Sequence, residues 1–158
     1  FEKGIDSHIP ASKVPNQMGK IMEVLYREKT TFIQSDYSTL FEYCNRKINK
    51  RSLMIIYTTF DSMVSMERQL PYLRKLSIKH VVLVVFFKDR ELNEMIARKP
   101  NTTLDYFEHV TAEKFDFEKK LITKSLQRHG IYSILTEPQN LTVNVINKYL
   151  EMKARQII

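Results

Sequence analysis

Seven consecutive apolar residues, Val81-Val82-Leu83-Val84-Val85-Phe86-Phe87, place the strongest constraint on this chain. The run has no alternation of apolar and polar positions and is rich in β-branched side chains. It predicts a strand buried on both faces, as in the interior of a parallel sheet covered by helices. It is also the longest apolar run, far short of the ~20 residues needed to cross a bilayer.

Two further segments read as buried strands, Leu53 to Phe60 and Ile131 to Leu135. Between and around them the apolar residues recur at helical spacing. Met63, Met66, Leu70 and Leu73 predict a helix in which Pro71 is the weak point. Leu92, Met95 and Ile96 mark a short helix ending near Pro100. Thr103 to His129 predicts one long helix or two in succession, with Leu121, Ile122, Ser125, Leu126 and His129 as its last apolar stripe. Gly130 sits where a helix C-terminal glycine is expected, and Val145, Ile146, Tyr149 and Leu150 give the face of a final helix. Upstream, Met18, Ile21, Met22 and Leu25 predict a helix from Asn16 to Glu28. Tyr37, Leu40, Phe41, Cys44 and Ile48 predict a second, capped by Ser35 or Asp36. Ile5 to Ile9 reads as a short edge strand ended by Pro10. Strands alternating with helices predict right-handed crossovers and an α/β fold, a parallel sheet with helices on both faces.

Length and composition agree with one globular domain over residues 1–158, because 43% of the residues are apolar and only 3 are Gly and 5 Pro. A single cysteine, Cys44, excludes an internal disulfide framework and a cysteine metal cluster, and its place on an apolar helix face reads as a small core hydrophobe. Lys and Arg number 25 against 18 Asp and Glu, a net charge of +7. The excess is spread along the chain, and only Arg46-Lys47-Ile48-Asn49-Lys50-Arg51 is dense. That cluster lacks the interleaved aromatics of a nucleic-acid groove, and cations at a helix C-terminus are favoured by the macrodipole.

In an open α/β sheet, ligands bind beyond the carboxyl ends of the strands. The residues there are Thr58, Thr59, Asp61 and Ser62, then Lys88 and Asp89, then Thr136, Glu137 and Asn140. With Ser35 and Asp36, these hydroxyls and carboxylates are oxygen ligands of the kind a hard cation prefers. The plainer reading is helix capping, since Ser35, Asp36, Asp61 and Ser62 all precede helices. Walker A, G-x-G-x-x-G and G-x-S-x-G sequences are absent. His8, His80, His109 and His129 share no zinc-ligand spacing.

Several phrases together resemble one family: Ile9-Pro10-Ala11-Ser12-Lys13, Ser35-Asp36-Tyr37, Arg51-Ser52-Leu53, Thr58-Thr59-Phe60-Asp61-Ser62, and Gly130-Ile131 through Thr136-Glu137-Pro138 to Tyr149-Leu150 and Lys153-Ala154-Arg155. The order of elements and these phrases are similar to the C-terminal part of bacterial domain-of-unknown-function family 58 proteins, which carry a von Willebrand factor A-like domain. The resemblance implies a three-layer Rossmann-like, mostly parallel sheet with helices on both faces. It also implies that the domain here is N-terminally truncated, Phe1-Glu2-Lys3-Gly4 reading as a cut end and the first strand lying upstream. A-type domains hold a divalent cation, Mg²⁺ in the intact parent, through three loops. The Asp-x-Ser-x-Ser motif of the first loop has no match here. Ser35 is the nearest match to the second, and Thr59 with Asp61 to the third, so Ser35, Thr59 and Asp61 are the candidate ligands of an incomplete site. No cofactor is expected in this chain.

The function the resemblance implies is a non-enzymatic protein-interaction module, serving as an adaptor for a MoxR-type AAA+ ATPase. Its parent would be anchored in the bacterial inner membrane, with this domain in the cytoplasm. In the A-domain strand order 3-2-1-4-5-6 the missing first strand would neighbour Leu53 to Phe60, so a homo-oligomer through that exposed edge, or insertion of the Ile5 to Ile9 segment into the gap, is expected. One alternative is a metal-assisted hydrolase or phosphoryl-transfer domain using Asp36, Asp61 and Glu137. The other is nucleic-acid binding through Arg46 to Arg51.

Overall fold

The computed structural model describes residues 5, 7–10, 12, 15–27 and 35–158. The chain divides into two compact units, Phe1–Asn49 and Lys50–Ile158. In the first unit, α1 spans Gln17–Arg27 and α2 spans Tyr37–Lys47. Asp36 is the residue that caps α2. Its Oδ1 accepts from the Ser38 and Thr39 amides at 2.9 and 3.2 Å, and its Oδ2 from the Thr39 hydroxyl at 2.6 Å. These bonds, the Thr39 hydroxyl first, hold the Asp36 carboxyl below its ordinary value. The expected strand at Ile5 to Ile9 is not formed at the described residues 5 and 7–9, and Asp6 lies outside them, as does Glu28 at the expected end of the first helix. Met18, Met22 and Leu25 have core spacing but are exposed on α1. Cys44 is buried, and burial pushes its thiol pKa up, the opposite of an activated nucleophile.

The second unit contains β1 (Leu53–Tyr57), α3 (Met63–Lys79), β2 (Val81–Phe87), α4 (Arg90–Ala97), α5 (Thr103–Arg128), β3 (Tyr132–Thr136), a 3₁₀ turn (Pro138–Asn140) and α6 (Leu141–Ala154). The strands form an all-parallel sheet in the order β1-β2-β3, with Leu53 opposite Val81 and Leu83 opposite Tyr132. The fold is therefore α/β.

Side chains alternate across a strand, and the partners of β2 show what covers each face. Val81, Leu83 and Val85 form a core with Met152 of α6, joined by Tyr132 and Ile134 of β3. Val84 faces the other way. Its register partner Ser133 donates from Oγ to the Thr123 carbonyl of α5 at 3.1 Å, so α5 lies on that face. The N-terminus of α3 is tied to α5 by a 2.9 Å bond from the Met63 amide to Glu118 Oε1. Helices thus cover both faces, α6 on one and α3 with α5 on the other. A chain that steps from β1 to β2 to β3 in one direction, always with the same hand, puts its crossover helices on one side.

The structure refines the expectations for β1, α3, α5 and β3. The strand expected over Leu53 to Phe60 ends at Tyr57, and Phe60 turns in to pack on Phe86 with ring centroids 5.7 Å apart. Nor is β1 buried on both faces. Ile55 and Tyr57 are 37% and 51% exposed, because α6 sits over β2 and β3 and leaves the β1 side of that face uncovered. Pro71 does not break α3. It lies on the exposed side of the helix, where water can satisfy the Glu67 carbonyl that loses its donor. Finally, the stripe of α5 is split: Ile122 and Leu126 are buried while Leu121 and His129 are exposed. The 26 residues of α5 form one helix, started by a capping box. Asp105 Oδ2 accepts from the Asn101 and Thr102 amides at 3.0 and 2.9 Å, and Thr102 Oγ1 accepts from the Asp105 amide at 3.2 Å. The third strand is shifted one residue, and Gly130 before it takes φ +75°, which only glycine adopts freely.

His80 closes α3 and is 3% exposed, and neither ring nitrogen has a hydrogen-bond partner among the described residues. Burial, helped by the Lys79 cation, lowers its pKa from 6.5. The unfolded chain then binds the proton more readily than the folded one, so stability falls as pH drops below 6.5 toward the lowered folded value. Urea midpoints measured from pH 7.5 to 5 should show this decline. His80→Phe should flatten it and raise stability at pH 7 by about 1 kcal/mol, because two unsatisfied polar atoms are replaced by apolar ones.

Candidate functional site

The strand-end loops are the first place to expect chemistry, and two of their side chains, Ser62 and Asp89, are committed to helix ends. Ser62 Oγ accepts from the Ser65 amide at 3.2 Å, and Asp89 Oδ1 from the Glu91 amide at 2.9 Å. Glu118 arrives from α5 to accept from the Met63 amide, so a carboxylate of the chain itself occupies the positive end of α3. Nothing in the local sequence marks Glu118 for this role, since its target lies 55 residues away. Glu118→Ala should cost about 1–2 kcal/mol of stability, read as a lower urea midpoint, because it leaves a part-buried helix amide without its acceptor.

Of the candidate metal ligands, Thr59 and Asp61 share the β1–α3 loop, with Asp61 exposed, and Ser35 belongs to the first unit. A hard cation takes about six oxygens. Thr59 and Asp61 bring three side-chain oxygens, while Ser62 and Glu118 are bonded to amides and the Asp36 carboxylate accepts from the start of α2. Among the described residues, no three His, Cys, Asp or Glu side chains gather. Among the described residues, the side chains at this loop fall short of that number.

An open cleft of about 590 Å³ lies beyond the ends of β2 and β3, lined by Lys88, Asp89, Arg90, Asn93, Glu137 and Gln139 among others. Within it Arg90 Nε is held by Glu94 at 2.9 Å, and Glu137 Oε2 accepts from Asn140 at 3.4 Å. The Thr136 hydroxyl, which ends β3, is buried and accepts from Asn144 at 2.7 Å. Asp61 and Glu137 lie in different loops, and Glu137 is the only one of Asp36, Asp61 and Glu137 that lines this cleft.

The other open feature is the outer side of β1. In a parallel strand, alternate residues turn both backbone groups toward the same neighbour. The Thr58 amide donates to Val85 at 3.2 Å and the Ser52 carbonyl accepts from Val81 at 3.0 Å, so the even-numbered residues of this stretch face β2. The N–H and C=O groups of Leu53, Ile55 and Tyr57 therefore point to the edge, where no strand among the described residues pairs with them. Their side chains lie on the α6 face, where Ile55 and Tyr57 are uncovered.

The basic cluster is divided between the units. Arg46 and Lys47 occupy the last turn of α2, with Arg46 donating to the Glu42 carbonyl at 3.4 Å. Arg51 donates to the Ile157 carbonyl at 3.2 Å. Compared with protein-family models, curated proteins and solved structures, the chain matches none of them.

Proposed function

We propose that this chain is a non-enzymatic protein-interaction module, a Rossmann-like domain of von Willebrand factor A type without its first strand, and that it engages partners through the open edge of β1. The observation that carries the reading is the row of outward backbone groups at Leu53, Ile55 and Tyr57 beside an uncovered apolar face. A strand from a partner would satisfy those groups and cover Ile55 and Tyr57, the β-augmentation mode of recognition. The all-parallel order β1-β2-β3 supports the A-type reading, since it matches the last three strands of the order 3-2-1-4-5-6, in which the first strand would lie against β1.

The same proposal includes a second copy of the chain as one edge partner. It also includes a AAA+ ATPase as the partner of a parent held in the bacterial inner membrane with this domain on the cytoplasmic side. Those finer points rest on the resemblance of the sequence phrases. Among the described residues, no helix is long and apolar enough to cross a membrane.

The test is a substitution that blocks the edge and spares the sheet. Ile55→Pro removes an outward N–H and leaves the β1–β2 ladder intact. It should weaken self-association about a hundredfold, and capture of the ATPase by the parent protein with it. Unchanged association in a folded variant would remove the edge from the proposal.

A further inference from the structure

The side of α5 turned away from the sheet is apolar. Tyr106, Val110, Phe117 and Leu121 are spaced by four, seven and four residues, whole turns of an α-helix, so they form one line. Tyr106, Val110 and Phe117 are 59%, 62% and 61% exposed, and Phe107 beside them is more exposed still. The buried residues of the same helix, Ala112, Ile122 and Leu126, lie nearly half a turn away. Neighbouring helices flank the line without covering it: α3 meets α5 at Glu118, and α4 meets it on the side of Asp105, Glu108 and His109. The line runs about 22 Å along the helix, from a rise of about 1.5 Å per residue.

Charge decides what this face would meet. Lys114 and Lys120 border its C-terminal half, Lys120 also pairing with Asp116 at 2.6 Å, and Lys124 and Arg128 continue the same side beyond Leu121, while Glu113 is the one acid beside its middle. Cations late in a helix complement its dipole, but that does not account for the aromatic and aliphatic line between them. An exposed helix side with aromatic tips and a basic border is shaped for a planar, deformable, negatively charged surface. A partner helix is held better by a two-walled groove.

We infer that the outer face of α5, Tyr106, Phe107, Val110, Phe117 and Leu121 bordered by Lys114, Lys120, Lys124 and Arg128, is a docking surface for the headgroup region of an anionic bilayer. The apolar line enters the interface and the cations meet the lipid phosphates or carboxylates. This surface is separate from the β1 edge and does not depend on the function proposed for it.

The chain has no tryptophan, so Phe117→Trp gives a single fluorescent reporter on the face, and Ile78→Trp, at an exposed position of α3, serves as its control. With vesicles of phosphatidylcholine and 30% phosphatidylserine in low salt, the reporter at 117 should shift to the blue and the one at 78 should not. Vesicles of phosphatidylcholine alone should give no shift. Co-sedimentation of the full chain should weaken about fivefold for each of Lys124→Gln and Arg128→Gln. It should weaken about tenfold or more for Val110→Ser with Phe117→Ser, variants at exposed positions whose unchanged circular dichroism shows that they fold. Three results would overturn the inference: vesicle binding indifferent to the two Ser substitutions, which is diffuse attraction of a +7 chain; a blue shift at 78; or a reporter at 117 that shifts with protein concentration in the absence of lipid, which assigns the face to a second copy.

Discussion

Val84→Asp is expected to leave the chain unfolded, or nearly so, at room temperature and neutral pH. Val84 is fully buried in the central strand, between β1 and β3 and beneath α5. A carboxylate there is shut away from water beside Ser133, whose hydroxyl is already given to the Thr123 carbonyl, and ionised or protonated it costs about 4 kcal/mol or more. That is a large share of the roughly 5–15 kcal/mol that holds a typical domain. Far-UV circular dichroism and a urea titration check it: the expected midpoint is less than half that of the parent. The same substitution one strand over gives the contrast. Ile55→Asp places its carboxylate on the uncovered half of β1, where water can reach it, and should lower stability by about 1 kcal/mol or less. A Val84→Asp chain that melts within a few degrees of the parent would contradict the layer order.

What could be read in the sequence follows from where burial is complete. The apolar run at Val81 to Phe87 is legible because helices cover both sides, so no position needs to be polar. Its first six residues are all buried. Leu53 to Phe60 has nearly the same apolar character for a different reason. Among the described residues β1 is an edge strand with one covered face, and Phe60 is apolar because it packs on Phe86 from the following loop. Residue type alone does not separate these cases. The single helix α5 was legible as a span, but its two apolar lines were merged into one stripe. Leu121 and Ile122 are adjacent in sequence and point in different directions, one to solvent and one to the core. A helical-phase plot of the whole span separates them. Pro71 sits inside α3 without ending it, because the cost of a helix proline depends on which side of the helix carries the lost bond, a tertiary fact.

The candidate site was legible as residue types, and capping, the plainer reading, holds for Asp36 and Ser62. Asp36, Ser62 and Asp89 were recognisable as oxygens before helices, and all three are helix caps. Glu118 could not have been found by local reading, because its role comes from the packing of α5 against the start of α3. The cleft beyond β2 and β3 draws on Lys88, Asp89 and Glu137, which the strand-end rule did pick out, and on Arg90, Asn93 and Gln139, which it did not.

The second large effect concerns association. If the outward groups of Leu53, Ile55 and Tyr57 are a pairing edge, wild-type chains should self-associate with rising concentration. Ile55→Pro should weaken that association about a hundredfold, since it removes a donor at the centre of a short strand and disturbs both neighbours on the edge. Ile55→Lys, a charge on an edge, should act in the same direction and is the check against a proline effect on folding. Urea titration of both variants separates loss of association from loss of fold.

The most direct measurement is sedimentation of the wild-type chain over a range of concentrations, with amide hydrogen exchange followed on the same samples. The proposal predicts a concentration-dependent dimer or larger species, in which the amides of Leu53, Ile55 and Tyr57 become protected as it forms. A monodisperse monomer whose amides at those three residues exchange freely at every concentration would contradict it.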